Sequence, residues 1–337
     1  MRKSVISAIA LAAMTAPAFA QGEVNLYSSR HYDTDEALYS NFTEQTGITV
    51  NRIEDSGDTL IARMASEGEL SPADLLLTVD VTRLTRAAEE GLLQPIESAV
   101  VEEKVPSYLQ EDDHLWIGVS TRVRHIFYDN EDVTDVPETW EDLADPKYEG
   151  MICTRSSSNV YMLSLLASII AHNGEEAARE WVEGLYNNLA RPPQGGDTDQ
   201  LRAVISGECD IVISNHYYYA RGLASEVTGL TDGIERLGIV YPNQDSYGTH
   251  VNISGIGLAV NAPNAENAIR FIEYLLSDEA QKMLADGNNE YPVVEGVEPS
   301  EAVQQMGTDF KRDELPLSEL SANVGLAQEI YNEVGYP

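Results

Sequence analysis

Three separate stretches of the chain carry phenols that could hold a hard metal ion. Tyr32 follows Ser28-Ser29-Arg30-His31, Tyr161 follows Arg155-Ser156-Ser157-Ser158-Asn159-Val160, and Tyr217, Tyr218 and Tyr219 follow His216. A phenol with a pKa of about 10 keeps its proton at neutral pH. A bound trivalent cation reverses that preference, because the ion is then the largest local charge. Phenolate oxygen is a hard anionic donor, better suited to Fe(3+) than to zinc or Cu(I), and three phenolates would balance three positive charges.

Each stretch also has a plainer reading. Tyrosines favour strands, and neighbours in a strand face opposite ways, so the Tyr217–Tyr219 run suits sheet packing as well as metal binding. At most two neighbouring members should reach one ion, leaving the third to pack. His31 suits a hydrogen-bonded cleft position as well as a ligand role. Arg30, Arg122, Arg155 and Arg221 lie near the phenols in sequence and could donate to phenolates, or simply pair with some of the many acids. The argument for a metal comes from the convergence of three segments.

An enzyme is the first rival. Ser28-Ser29-Arg30-His31 pairs a hydroxyl with an imidazole on paper, but neighbouring side chains on an extended segment point apart. The sequence contains no G-x-S-x-G elbow, Walker loop or H-E-x-x-H helix. The second rival is a binding protein of the same shape for an organic cation, of polyamine or thiamine type, stacked on tyrosine faces.

The elements that must position these residues alternate. A strand over 24–27 leads into a helix over about 35–46, capped by Asp33 or Thr34 and stopped by Gly47. A strand over 48–53, a helix over 59–67, a strand over 73–79 and a helix ending near Gly91 follow. This β-α-β-α-β order implies a parallel sheet with covering helices. The run 116–128 is long and extended enough to leave one lobe and enter another. A second set of strands and helices begins at Gly150 and includes helices over 159–171 and 175–187 and strands over 210–214 and 237–241. The chain should cross back near 247–254, ahead of a strand over 256–260, and end in helices over 266–285 and 317–333. Two α/β lobes joined by crossing strands enclose a cleft, and all three tyrosine stretches fall at strand ends or helix starts that should face it.

The chain has 337 residues, 21 basic and 56 acidic, for a net charge of −35. That balance disfavours nucleic acid and anionic membrane surfaces as partners, and it is compatible with a cationic ligand. Arg2-Lys3, the apolar run 5–13 and Ala18-Phe19-Ala20 read as a cleavable export signal over residues 1–20. Gln21 rather than Cys follows the cut, so a released protein without a membrane anchor is expected, in the periplasm. In an oxidising compartment Cys153 and Cys209 favour a disulfide, with two buried free thiols as the plainer alternative.

The stretches YSSRHYDTDEALY (27–39), PADLLLTVD (72–80), STRVRHIFYD (120–129), ICTRSSSNVY (152–161), ECDIVISNHYYYARG (208–222), GTHVNISG (248–255) and GNNEYPVV (287–294) closely resemble the periplasmic ferric-iron-binding proteins of ABC transporters, including cyanobacterial ones. The resemblance implies an α/β, two-lobed type II periplasmic binding-protein fold with crossing hinge strands that closes on one Fe(3+). It implies a first lobe of 21–120 plus 248–290, a second of 121–247, and a C-terminal helical segment, 291–337, packed on both. Carried over by motif, the ligands are Tyr32, Tyr161, Tyr217 and Tyr218. His31 matches a position that some relatives use and others leave out, and Tyr219 is not carried over. Relatives differ in whether an anion completes the site, and the early His-plus-Glu pair of phosphate-assisted relatives is absent here. The implied partner is an ABC permease of the inner membrane, served by a monomer.

Overall fold

The computed structural model describes residues 22–30 and 32–337, so the export signal expected over 1–20 and His31 lie outside the described residues. The strands are β1 (Glu23–Ser28), β2 (Thr49–Glu54), β3 (Leu75–Val79), β4 (Leu93–Gln94), β5 (Trp116–Asp129), β6 (Ile152–Cys153), β7 (Ile211–Asn215), β8 (Leu237–Val240), β9 (Val251–Ala259) and β10 (Tyr291–Pro292). Between β1 and β4 run α1 (Asp35–Thr46), α2 (Gly57–Glu67) and α3 (Val81–Glu89), with α4 (Ala99–Lys104) before β5. The second set contains α5 (Val160–Asn173), α6 (Glu175–Asn187), α7 (Asp197–Ile205) and α8 (His216–Ala224). After β9 come α9 (Ala265–Leu275) and α10 (Asp278–Asn288), and after β10 come α11 (Glu301–Met306), α12 (Leu317–Ala322) and α13 (Val324–Val334).

Local sequence explains the opening unit. Leu38, Tyr39 and Phe42 form the buried face of α1, and Gly47, at φ 72°, ends it by returning its N–H to the Thr43 carbonyl. Ser56 caps α2 by accepting from the Thr59 N–H. β1 pairs in parallel with β2 and β3. Leu75, Leu76 and Leu77 are all buried, as expected for a strand covered on both faces.

β5 joins two lobes by changing partners along its length. Trp116–Val123 pair antiparallel with β9, whereas Arg124–Tyr128 pair with β7 and Ile126–Asp129 with β8. The switch therefore falls between Val123 and Arg124. β9 pairs onward with β3, returning the chain to the first lobe, and β6 pairs in parallel with β7 in the second. A large apolar core runs along β5 and β9, and a smaller one around Phe127, Val204, Val212 and Leu230 lies in the second lobe. Cys153 and Cys209 form the expected disulfide, with Cα atoms 5.9 Å apart.

Three local expectations need correction. The strand expected over 256–260 starts earlier, because β9 begins at Val251 within the return crossing expected over 247–254. The helix expected over 266–285 is two: Ser277 interrupts it and caps α10 by accepting from the Ala280 N–H. The helix expected over 317–333 breaks at Asn323, whose backbone N–H turns back to the Leu320 and Ser321 carbonyls. The Tyr217–Tyr219 run, for which sheet packing was the plainer alternative, follows β7 and forms the first turn of α8, after Asn215 in extended backbone.

Candidate metal centre

Two helix starts bring the second-lobe phenols together. The Asn159 side chain caps α5 by accepting from the Tyr161 N–H at 3.1 Å, which places Tyr161 in the first turn. β7 ends at Asn215 and α8 begins one residue later, so Tyr217 and Tyr218 leave the strand end together. Their rings lie 4.3 Å apart. The Tyr217 hydroxyl donates to Tyr161 Oη at 3.2 Å, and the Asn215 amide donates to Tyr217 Oη at 3.4 Å. Tyr219 turns away around the helix and packs its ring 5.2 Å from Phe127. The triplet thus divides into two clustered phenols and one core ring.

Tyr32 lies just past the end of β1, with the Arg30 guanidinium 5.0 Å from its ring. Its electrostatic influence reaches Arg122, Tyr217 and Tyr218, so the phenols from the three stretches share one region. Burial, followed by neighbouring Tyr161 and Tyr218, pushes the Tyr217 hydroxyl well above its ordinary pKa, with Arg122 opposing. Burial and Tyr161 likewise raise Tyr218. Without a bound cation these two hydroxyls stay neutral at physiological pH, and only a strong positive charge among them would ionise the set.

Two buried carboxylates, each between two arginines, organise the surroundings. Glu290 accepts from Arg30 Nη1 at 2.8 Å and Arg122 Nη2 at 2.7 Å, and from the Ser120 hydroxyl. Those cations overcome the burial penalty and hold the Glu290 carboxyl at a pKa of about 2. Asp197, the first residue of α7, accepts from Arg124 Nη1 at 3.1 Å, Arg155 Nη1 at 3.2 Å and the Asn215 backbone N–H at 2.8 Å. Sequence reasoning assigned no role to either acid. Glu290 lies inside the GNNEYPVV stretch, which was its one available signal; Asp197 had none.

The four expected arginines take different posts. Arg122 Nη1 lies 3.4 Å from Tyr161 Oη, a long hydrogen bond to a candidate phenol. Arg30 and Arg155 spend their main hydrogen bonds on carboxylates, and Arg221 sits 5.6 Å over the Tyr218 ring. Each of the four phenol rings in fact has a guanidinium over it: Arg30 on Tyr32, Arg122 on Tyr217, Arg124 and Arg155 on Tyr161, and Arg221 on Tyr218. Those faces are the ones an organic cation would need. Among the described residues, no group of three or more His, Cys, Asp or Glu side chains is arranged to hold a metal. The chemistry gathered here is hard oxygen with nearby fixed positive charge, the setting that favours phenolate.

Comparison with known proteins agrees with this geometry. Residues 71–313 match the family model described as bacterial extracellular solute-binding protein. Iron uptake protein A1 of Synechocystis sp. is 48% identical over 319 residues, covering 94% of this chain and 88% of the relative. The major ferric iron-binding protein of Neisseria meningitidis serogroup B is 29% identical over 299 residues, covering 87% of each chain. The solved structure of Trichodesmium IdiA (FutA) in complex with iron and citrate ligands superposes with a TM-score of 0.90 at 48% identity, covering 94% of this chain and 100% of the other. The chain therefore belongs to the bacterial extracellular solute-binding proteins.

Proposed function

We propose that this protein captures ferric iron between its lobes through the phenolates of Tyr32, Tyr161, Tyr217 and Tyr218, and delivers it from the periplasm to an ABC permease of the inner membrane. The observation that carries the reading is the contact of Tyr161, Tyr217 and Tyr218 beside Arg122, with Tyr32 in electrostatic reach. The relatives named for iron uptake and ferric-iron binding support the same cargo. The chain belongs to a solute-binding family, and a role without turnover fits the phenol site. The lobes are taken as 21–120 plus 248–290 and 121–247, with 291–337 packed on both; the partner change of β5 at Val123 and Arg124 supports the division. The protein acts as a monomer.

Each ligating phenol must lose its proton, so binding releases protons and weakens on acidification. Closure brings the Tyr32 side to the second-lobe phenols. One contact suited to it is the Ser164 hydroxyl, one turn after Tyr161, which donates to Asp80 Oδ2 at the end of β3 at 2.6 Å. The organic-cation reading loses ground because guanidiniums already cover the phenol faces.

Absorption spectroscopy tests the site. Iron-loaded protein should be orange to red through a phenolate-to-Fe(3+) charge-transfer band. Tyr217→Phe and Tyr218→Phe keep the ring and remove the oxygen. Each should weaken both colour and affinity by more than about 10-fold, the lower end of what losing even an outer partner of a metal site costs. Colourless loaded protein, or variants that bind like the parent, would sink the reading. His31→Ala decides whether the imidazole beside Tyr32 belongs to the ligand set.

A further inference from the structure

The phenol site leaves the GTHVNISG stretch (248–255) without a role. Two of its side chains, His250 and Asn252, line a small cavity together with Asp80, Arg122, Arg124 and Tyr161. The space admits a water-sized sphere over about 10 Å³, roughly the room that one water molecule requires. Three of these residues carry a buried side-chain nitrogen without a hydrogen-bond partner among the described residues: Arg122 Nε, Arg124 Nε and His250 Nδ1. Their residues are only 2, 1 and 3% exposed. Buried polar atoms are ordinarily paired, so three unpaired ones on residues that line one cavity point to a ligand that pairs them together.

We propose that the cavity is a binding site for one water molecule, held by Arg122, Arg124 and His250 beneath the phenol cluster. Water accepts two hydrogen bonds and donates two. Guanidinium nitrogens only donate, so the two Nε atoms take the two lone pairs. His250 Nδ1 must then accept from the water, which puts the imidazole proton on Nε2. Burial, with the Arg124 charge, keeps that ring neutral and its pKa down at about 3. The second water hydrogen is left for the carboxylate of Asp80.

An anion suits the same space less well. Arg30, which shares Glu290 with Arg122, also pairs with Asp35, and Arg155, which shares Asp197 with Arg124, is offset by Asp80 in the wall, so four guanidiniums meet four carboxylates. The cavity therefore has no surplus positive charge, and a neutral molecule that both accepts and donates matches its walls. By engaging Nε, the water fixes the plane of the Arg122 guanidinium, whose Nη1 faces Tyr161 Oη at 3.4 Å. This makes His250 a positioning residue for the iron site. Only that consequence rests on the ferric-iron reading; the water site does not.

A high-resolution crystal structure of the iron-free protein soaked in sodium bromide tests the assignment. One water in hydrogen-bond reach of Arg122 Nε, Arg124 Nε and His250 Nδ1, with no anomalous bromide signal, is expected. A dry cavity, or bromide inside it, overturns the proposal. His250→Phe should expel the water, shift the charge-transfer band and weaken iron binding about 10-fold, as losing an outer partner of a metal site does. His250→Gln keeps an acceptor oxygen and should retain the water and most of the affinity. Water persisting in His250→Phe would show that the imidazole does not hold it, against the proposal. A parent crystal with the water, from protein that never colours with Fe(3+), would overturn the iron reading and leave the water site standing.

Discussion

Glu290 and Asp197 both hold two guanidiniums beside the phenols, but they join different parts of the molecule. Glu290 gathers Arg30 from the end of the first strand and Arg122 from the crossing strand, and its side chain and both partners are 2% exposed or less. Asp197 works within the second lobe and the adjoining half of β5, and its partner Arg155 remains 21% exposed. If Glu290 is neutralised, Arg122 has no other carboxylate among its ion pairs with the described residues, and at 2% exposure it cannot swing into solvent. Arg155 can swing into solvent if Asp197 is lost. The same residue types thus make a fully desolvated junction at the crossing strand in one place and a brace with one partly exposed arm in the other, and a buried pair costs most when one partner is stranded.

The largest effect should come from acid, which acts on the crossing strands next to the Glu290 junction. Burial holds His125 and His250 neutral, each with a pKa of about 3 in the fold. The unfolded chain protonates these rings below about 6.5 and the native one does not, so stability rises with pH between those values and falls on acidification. Each ring contributes about 1.4 kcal/mol per pH unit over that window, or about 3 kcal/mol per unit for the two. Glu290 acts in the same direction at lower pH, its stabilisation being lost as pH falls from about 4 through about 2. Urea titrations between pH 4 and 7 measure the slope, and a flat profile would contradict the buried neutral rings.

Next in size is the junction itself. Glu290→Gln should destabilise the protein by about 3–5 kcal/mol, the usual cost of breaking a buried ion pair from one side. Asp197→Asn should cost less, about 1–3 kcal/mol, because Arg155 can rehydrate and the buried Arg124 keeps the Asn215 side-chain oxygen at 2.9 Å. Denaturation midpoints of the two variants compare them directly. Equal losses would erase the proposed difference between the arrangements.

The second lobe has a covalent support that the junction lacks. Removing the bridge with Cys153→Ala and Cys209→Ala should cost about 2–4 kcal/mol. Adding Asp197→Asn to that background should give a loss beyond the sum of the two, since Cys153 lies two residues from Arg155 and coupled neighbours are not additive. Simple additivity in a double-mutant cycle would show that bridge and brace act separately. The smallest expected effect is Tyr219→Phe, which keeps the ring against Phe127 and should change stability by no more than about 0.5 kcal/mol and leave the iron colour intact.

Much of the fold was legible because its signals are local. Gly47 ended the first helix where its left-handed backbone requires, and the apolar run at β3 read as a covered strand. The helix breaks at Ser277 and Asn323 were missed because hydrophobic spacing continues through them, while a cap at Ser277 and a backbone turn at Asn323 redirect the chain. The Tyr217–Tyr219 run was ambiguous between sheet packing and metal binding, and its placement on α8 decided which ring packs and which two cluster.

By itself the sequence determined the residue chemistry: the phenols and their three stretches, the pair of cysteines, and the alternating elements that carry strand ends toward a cleft. These follow from side-chain type and short-range periodicity, which folding does not alter. Only the tertiary structure decided which charges the phenols meet. Glu290 reaches Arg30 across 260 positions and Arg122 across 168, and Asp197 reaches Arg124 across 73. In a chain with 56 acidic residues, nothing local distinguishes those two carboxylates. Burial does, by removing the water that would otherwise compete for each arginine.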